Sequence, residues 1–468
     1  MRQALHILKK DVRFLRLEIG LFLTLTVMFG GMGMWWIEMP MLFAAAYLIA
    51  RVVLGEAIPG ANQFWLTRPY DWRSLLAAKV MFVLLFVNLP VCLAQLGVVL
   101  ANGFPLGEVI AGLLWTQTLL ILVLALPVAA LASLTAGIMP FIFSLFVLST
   151  IYFFAGDWLT RTAESRWPAA VQWERDAFCG VVISVLTLAV LYLQYRGRRT
   201  VLSRALGVAV TAAGASIYWF FPLPLALALQ AGTSKPPDYA SGLQAQLSAV
   251  SNNQFERRRD GVVGIQFPIT VTGLPEDVTI RADAIPIVIQ GPNGETWRPD
   301  SRRLASVGRQ TTQSGKVTFH TSILMERDFF NEVGEMPVTL KASIYFSAFG
   351  NARSRTIPFQ EKPVNVMGGL QCYDGFFDAV TCRSAFRWPG ALVYSSFGGN
   401  LDPVFQMISY SPFPGELRLH PMESHWSVAA PPRAKEVTIV LKEPVAHFRR
   451  DFEIRDVHLP DFAFMRGR

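Results

Sequence analysis

Long uncharged stretches fill the first half of the chain, and shorter strand-like stretches fill the second half. A helix of about 20 apolar residues crosses the roughly 30 Å hydrocarbon core of a bilayer. The uncharged stretches therefore predict about seven spans, at residues 19–37, 39–55, 80–101, 109–134, 138–156, 177–195 and 205–229. We expect a turn near Thr135–Pro140, and a kink in the last span at Pro222 and Pro224, because a helix tolerates proline only near an end or a break.

The second half, residues 231–468, has the composition of a β-sheet domain. Its stretches are rich in β-branched and aromatic residues and are separated by Gly, Pro and Asn. The predicted strands are residues 262–272, 278–290, 316–325, 337–346, 416–420 and 436–441. The expected fold class is a polytopic α-helical membrane domain (19–230) followed by an all-β domain of one or two sandwich-like modules.

Positive charge is unevenly distributed over the predicted membrane half. Of its 16 Lys and Arg residues, 13 lie in three short segments, at residues 2–16, 51–79 and 196–204. The other three lie between the fifth and sixth spans beside four acidic residues, for a net charge of 3 − 4 = −1. Because short basic segments stay in the cytoplasm, we expect an integral protein of a bacterial inner membrane. Its N-terminus would be cytoplasmic and, after an odd number of spans, its C-terminal domain would lie outside.

Residues 1–18 predict an amphipathic helix that lies on the membrane surface. Its apolar positions, spaced three and four apart, are Leu5, Leu8, Val12, Leu15 and Ile19. Its basic positions on another face are Arg2, Lys9, Arg13 and Arg16, with His6 among them. Such a helix rests its apolar face on the bilayer and directs its charges to water. The alternative is an ordinary charged lead-in to the first span.

The four cysteines divide between the two halves of the chain. Cys92 and Cys179 lie inside predicted spans, where they are most simply packing residues. Cys372 and Cys382 lie together in the domain expected outside the cytoplasm. An oxidising compartment would allow this pair to close a small hairpin loop, so we predict a disulfide between them.

The sequence contains no motif that predicts catalysis. Gly308–Lys316 differs from a phosphate loop because Gly315 follows Gly308 by seven positions rather than five. His420 and His425 do not have the spacing or the adjacent Glu of the helical two-His zinc motif. We therefore expect no enzyme activity, no cofactor, no metal site and no nucleic-acid groove in this chain.

The segment between the second and third spans is more informative. Pro69 ends the preceding stretch, and Asp71 is placed to cap a helix that begins at Trp72 and continues into the third span. Such a helix would expose Trp72 and Arg73, residue types that are enriched at protein interfaces. On local grounds a partner-binding surface and a loop with membrane-anchoring side chains are equally good interpretations.

The order of these features over residues 1–204 resembles the permease subunits of type-2 ATP-binding-cassette exporters. The resemblance rests on the basic N-terminal helix, the Phe64–Pro69 stretch followed by Leu75–Lys79, the near-absent turn between spans four and five, and the longer outer loop before span six. It implies a dimer of permeases working with separate cytoplasmic ATP-binding subunits. The coupling region that it implies comprises Arg68, Pro69, Asp71, Trp72, Arg73 and Lys79.

The chain departs from that family in one large way. Six spans are usual there, whereas a seventh span and a β-rich domain are expected here. The leading prediction is a permease subunit that forms the translocation path of an ATP-driven exporter. The alternative is a membrane-anchored protein whose outer β domain binds a ligand or acts as a sensor.

Overall fold

A computed structural model of the 468-residue chain describes residues 2–32, 35–55, 71–162, 169–197, 199–232, 234–248, 262–298, 306–313, 315–358, 362–367, 370–374, 379–386, 391–397, 400–408, 419–429 and 436–463. Helices form the first half and strands dominate the second. The change falls between Gly232, at the end of a helix, and Gln244, at the start of the first strand.

The first half is a bundle of helices, most of them apolar. They are α1 (Arg2–Phe14), α2 (Arg16–Met32), α3 (Trp35–Leu54), α4 (Trp72–Val83), α5 (Leu89–Ala101), α6 (Leu106–Leu119), α7 (Leu126–Leu134), α8 (Ile138–Thr162), α9 (Ala169–Tyr192), α10 (Thr200–Phe220) and α11 (Leu223–Gly232). Within the described part of the chain, five helical stretches are long and apolar enough to cross a membrane: Trp36–Leu54, Trp72–Ala101, Leu106–Leu134, Ala177–Arg196 and Thr200–Ile217.

Three of the expected spans differ from the prediction. The first corresponds to α2, which has 17 residues, and the fifth contains a shorter apolar stretch, Ile138–Ile151. The seventh, expected over 205–229, is interrupted: α10 ends at Phe220 and α11 begins at Leu223. Pro222 explains this break because it supplies no N–H to continue the hydrogen bonds of α10. The turn expected near Thr135–Pro140 is present, since α7 ends at Leu134 and α8 begins at Ile138.

Two of the long helices contain a widened turn ahead of a proline. α4 runs into α5 through a π-helical segment at Leu84–Asn88, and α6 runs into α7 through another at Leu120–Ala125. Each segment is followed within two residues by a proline, Pro90 or Pro127. A proline ring collides with the carbonyl four residues earlier, and a wider turn relieves that collision. A third π-helical segment, Leu193–Gly197, ends α9.

The described part of the second half consists of antiparallel strands, one short α-helix, α12 (Arg327–Val333), and two 3-10 helices, Asp238–Gly242 and Leu459–Phe462. The strands are β1 (Gln244–Leu247), β2 (Val262–Thr272), β3 (Thr279–Ala284), β4 (Ile287–Gln290), β5 (Thr296–Trp297), β6 (Ser306–Gln313), β7 (Lys316–Glu326), β8 (Val338–Pro358), β9 (Val364–Met367), β10 (Leu370–Asp374), β11 (Ala379–Ala385), β12 (Ala391–Phe397), β13 (Asn400–Ile408), β14 (Met422–Ala429) and β15 (Glu436–Val457).

The described strands form three sheets. Their orders are β1-β2-β7-β6, β14-β11-β10-β9 and β13-β12-β15-β8-β4-β5, and β3 also pairs with β8 in the last one. The 21-residue β8 and the 22-residue β15 pair along almost their whole length. These two strands therefore connect the ends of the β-rich region.

Two apolar cores lie along this β8–β15 pair. One joins the first and third sheets around the buried side chains of Phe267, Phe319, Phe346 and Phe448. The other packs the middle sheet against the far end of the pair. Alternate residues of β7 are buried, as the alternating apolar pattern of a half-exposed strand predicts.

The strand predictions differ in accuracy. The strand at 262–272 has the predicted bounds, and the stretch 278–290 is divided into β3 and β4 around Ile285 and Pro286. The strand expected at 416–420 is wrong for Leu419 and His420, which have no regular structure. Residues 416–418 lie outside the described residues. Leu419 contacts the helices instead of a neighbouring strand.

Candidate functional site at the basic end of the helices

The predicted coupling region begins at the N-terminus of α4. Asp71 occupies the N-cap position with an extended backbone, as expected, but its side chain makes no capping hydrogen bond. Asp71 and Arg73 are exposed, and Trp72 is half-buried. Arg68 and Pro69 lie outside the described residues. The described part of this region thus presents one exposed acid and one exposed base at the start of a long helix.

A row of four side chains joins the start of α4 to the end of α9; we call it the cation–aromatic row. The Arg73 guanidinium lies 5.5 Å from the Trp72 ring centroid, and the Trp72 and Tyr192 rings meet edge to face at 6.4 Å. Arg196 lies 5.2 Å from the Tyr192 ring and donates to its hydroxyl group. Stacking on aromatic rings restricts both guanidinium groups before any partner binds. Two restrained cations therefore face outward from neighbouring helices.

Lys79 differs from the expectation of an exposed coupling region. Its side chain is 5 % exposed, and its Nζ donates to Asp11 Oδ2 over 2.7 Å. Asp11 is 8 % exposed and comes from α1. A buried ammonium group needs a nearby anion, because removing it from water is otherwise unfavourable. Lys79 therefore attaches α1 to α4 and offers no surface to a partner.

The N-terminal helix has the amphipathic character that was predicted, with one difference. Arg2, Lys9, Arg13 and Arg16 are all exposed, so the basic face points to solvent. Leu8, Leu15 and Ile19 are buried, but Leu5 is 49 % exposed. Ala4 and Ile7 pack on Ala78 of α4. The buried stripe of this helix therefore contacts protein, and the membrane-surface placement of the remainder stays a prediction.

These residues occupy one end of the bundle, and the β-rich region contacts the other. The α4–α5 unit runs for 30 residues, about 45 Å, from Trp72 to Ala101. The turn that follows it contacts the middle sheet, where Gln371 donates to the Asn102 carbonyl over 2.7 Å and Asn365 to the Gly103 carbonyl over 2.9 Å. We call the opposite end the basic end; its exposed cations include Arg13, Arg16, Arg73, Arg196, Arg199 and Arg204.

Three side-chain amides form a connected set inside the bundle, which we call the amide ladder. Asn88 donates to the backbone and side-chain oxygens of Gln117 at 3.3 Å, and Gln117 donates to Gln95 Oε1 over 2.8 Å. Amide side chains inside membrane helices commonly form hydrogen bonds between helices. The structure shows that these three link the α4–α5 unit to α6.

The β-rich region closes over the ladder with a short segment, Leu419–Pro421, which we call the strap. The Leu419 carbonyl accepts from Gln95 Nε2 over 2.6 Å, and its N–H donates to the Glu38 carboxylate of α3. The Leu419 side chain is buried in the same apolar cluster as Phe22 and Phe29. Sequence reasoning missed this contact, because nothing local relates Glu38 to a residue 381 positions later.

The expected disulfide is present between Cys372 and Cys382. The two residues face each other across β10 and β11, and both are fully buried. Cys92 in α5 and Cys179 in α9 are not joined in a disulfide, in keeping with a packing role. The second core therefore includes a covalent link between neighbouring strands.

The side chains of Ser347, His447 and Asp283 meet in the β-rich region, but they do not have the arrangement of a hydrolase triad. Ser347 donates its proton to Asp283, so the contact of 2.9 Å with His447 Nδ1 requires the ring to donate to Ser347. A triad needs the ring to accept the serine proton. Burial lowers the pKa of His447, against the opposing effect of Asp283; Arg281 lowers it further. The group is therefore a buried polar network rather than an activated nucleophile.

Comparison with known proteins finds no match to any protein-family model or to any curated sequence. Within the part of the chain that the structure describes, no group of three or more His, Cys, Asp and Glu side chains could hold a metal ion. The basic end, the amide ladder and the strap are thus the features on which a functional proposal can rest.

Proposed function

We propose that this chain is the membrane-spanning permease subunit of an ATP-driven exporter, and that its basic end binds a separate cytoplasmic ATPase subunit. The observation that carries the proposal is the cation–aromatic row, with Arg73 and Arg196 exposed on two neighbouring helices. Restrained arginines suit recognition of carboxylates on a partner. The resemblance of residues 1–204 to type-2 exporter permeases gives that partner its class.

The proposed orientation follows from charge. Basic segments at the ends of apolar helices stay in the cytoplasm, and the basic end carries the exposed arginines of α1, α4, α9 and α10. The β-rich region would then lie outside, as one or two sandwich-like modules. A disulfide such as Cys372–Cys382 persists in an oxidising compartment, which agrees with that side. Seven crossings, counting α2 and α8, complete the proposed topology.

A second candidate is a membrane-anchored binding or sensory protein. The direct contacts of the β-rich region with the helices favour it, because a bound ligand could act on the bundle through the strap. The two candidates differ in their dependence on an ATPase. If no phosphate-loop ATPase copurifies with the wild-type chain from its native membranes, the permease proposal fails and the sensor is preferred.

The docking surface is tested by reversing one charge. If the partner uses this arginine, Arg73→Glu should weaken the binding free energy of the ATPase by about 2 kcal/mol or more, which is roughly 30-fold in affinity. Less ATPase should then copurify with the chain. Folding should change by no more than about 0.5 kcal/mol, because the site is on the surface and a Glu suits the first turn of a helix. The measurements are membrane abundance and the amount of ATPase recovered with the tagged chain.

Arg327→Glu is the matched control. Arg327 is exposed and begins α12 in the β-rich region, so the same charge reversal occurs at a helix N-terminus far from the basic end. This variant should retain wild-type copurification. Equal recovery of the ATPase with both variants, at equal abundance, would remove Arg73 from the docking surface.

A further inference from the structure

The strap connects two helices that are distant in sequence from it and from each other. Leu419 is 381 residues from Glu38 of α3 and 324 residues from Gln95 of α5, yet its single backbone unit bonds to both. A second attachment lies beside it, where the Phe386 N–H donates to the Pro421 carbonyl over 2.6 Å. Phe386 itself packs on Gly112, Leu113 and their neighbours. The strap therefore covers the bundle between α3 and α5.

The groups under the strap are unusually polar for the interior of apolar helices. Gln95 is fully buried, Gln117 is bonded to it, and Asn88 lies two turns deeper, about 10 Å along the helix. The Asn88 Oδ1 atom is buried and has no hydrogen-bond partner. A joint that never opened would be more stable with apolar residues here, because each buried amide must be satisfied or its desolvation costs free energy.

Two π-helical segments border this polar set. Leu84–Asn88 ends at Asn88 itself, and Leu120–Ala125 begins three residues after Gln117. Widened turns of this kind occur often at functional sites, because they interrupt the regular hydrogen bonds of a helix. The amide ladder thus lies in a part of the bundle whose helices are locally irregular as well as polar.

We propose that the strap is a releasable closure over the amide ladder. When the strap is seated, Leu419 fills the opening with its side chain and satisfies Glu38 and Gln95 with its backbone. When the strap withdraws, water reaches the amide ladder from the side of the β-rich region. Glu38 and Gln95 then form hydrogen bonds with water instead of with the Leu419 backbone. The closure goes beyond the proposed function, because it would regulate access to the bundle in a permease and transmit a signal in a sensor.

A native thiol reports on this closure. Cys92 lies between Asn88 and Gln95 on the same helix, four and three residues from them, and is half-buried. A charged maleimide reacts only with a thiol that water reaches, so its rate at Cys92 measures opening. Cys179, buried in α9 near the Gly214 carbonyl, is the internal reference.

The first arm shortens the strap side chain. Leu419→Ala should raise the labelling rate of Cys92 at least about fivefold over wild type, with Cys179 unchanged. Leu459→Ala is the matched control, since Leu459 is an equally buried leucine in the core of the β-rich region. It should leave labelling of Cys92 at the wild-type rate. An unchanged rate in Leu419→Ala would overturn the proposal.

The second arm fixes the strap to α2 while Leu419 and the amide ladder keep their native side chains. Phe29 and His420 have ring centroids 6.0 Å apart, so the thiols of the double variant Phe29→Cys with His420→Cys should be close enough to be joined by a short bifunctional thiol reagent. The cross-linked chain should lose most Cys92 labelling relative to the two single variants treated with the same reagent. If Leu419→Ala also raises labelling at Cys179, the whole bundle has loosened, and the cross-linking experiment then tests the closure. Equal Cys92 labelling with and without the cross-link would show that the strap does not open.

Discussion

At the scale of single residues, a set of connected polar side chains lies next to the joint between the two halves, with Asp283 and Ser347 buried and His447 half-buried. His447 is one of them: its N–H and carbonyl both bond to Ser234, which follows α11, at 2.7 and 2.8 Å. Its ring contacts Ser347, and Ser347 in turn bonds to Asp283 beside Arg281. The ionisation of one imidazole is therefore linked to the packing of the helical end against β15.

The lowered pKa of His447 predicts a loss of stability on mild acidification. The folded pKa lies below the usual value near 6.5, so the unfolded chain binds the proton more readily. The contribution of neutral His447 to the free energy of unfolding is fully present above about pH 6.5 and declines as the pH falls below that value. The thermal unfolding midpoint of the purified chain should therefore fall between pH 7.5 and 5.5.

Replacement of the ring isolates its effect. His447→Asn keeps a donor for Ser347 and removes the titration, so the fall of the midpoint over this range should be smaller than in wild type. His458→Asn changes an exposed histidine immediately after the last residue of β15 and should retain the wild-type fall. An identical pH dependence of all three chains would contradict the assignment to His447.

At the scale of elements, α1 is attached to the bundle by one buried ion pair and a small apolar contact. Asp11 and Lys79 are the pair, and Ala4, Ile7 and Ala78 are the contact. A second pair, Arg51 with Glu18 at 3.4 Å, joins α3 to the start of α2 and is more exposed. The position of the basic face thus depends chiefly on the buried pair.

Removal of one partner of the buried pair should be strongly destabilising. Asp11→Ala leaves the Lys79 ammonium buried without its anion, and we expect a loss of about 3 kcal/mol or more. The double variant Asp11→Leu with Lys79→Met should recover most of that loss, because it removes both charges and retains the volume. Unfolding of the detergent-solubilised chain in denaturant measures each change.

Lys10→Ala is the control for this comparison. Lys10 lies 3.8 Å from the other oxygen of the same carboxylate but is 41 % exposed, so its removal should change stability by no more than about 0.5 kcal/mol. A loss in Lys10→Ala as large as that in Asp11→Ala, or no recovery in the double variant, would show that the buried pair does not hold α1.

At the scale of the whole molecule, the helical bundle lies between a basic end and a β-rich region. Large apolar side chains are exposed on its flanks, among them Leu93, Phe143, Phe146 and Val185. Exposed apolar surface of this extent requires a lipid or protein environment. The three layers therefore correspond to the cytoplasmic face, the hydrocarbon core and the outer face of the proposed orientation.

Reporter fusions test that orientation. A reporter that requires an oxidising compartment should be active when fused after Arg468, because the β-rich region is proposed to lie outside. The same reporter fused after Arg199, at the basic end, should be inactive, and a cytoplasmic reporter should show the reverse. Activity of the oxidising reporter only at Arg199 would invert the topology and remove the support that the disulfide gives to it.

The hydrophobic pattern by itself determined that apolar helices fill most of the first half of the chain and that strands dominate the second. Uncharged stretches became apolar helices, the turn before Ile138 and the break at Pro222 followed from local backbone chemistry, and β2 has its predicted bounds. These features depend on neighbours along the chain. The pairing of Cys372 with Cys382 was predictable for a related reason, since only ten residues separate them.

Only the tertiary structure decided which polar residues meet. Lys79 was expected in an exposed coupling region because of the resemblance to exporter permeases, yet it is buried against Asp11, 68 positions away in sequence. Leu419 was expected in a strand because its neighbourhood favours strands, yet Glu38 and Gln95 bind its backbone. The hydrophobic pattern indicates which residues are buried. The partner that each buried polar group contacts in place of water depends on how elements distant in sequence pack together.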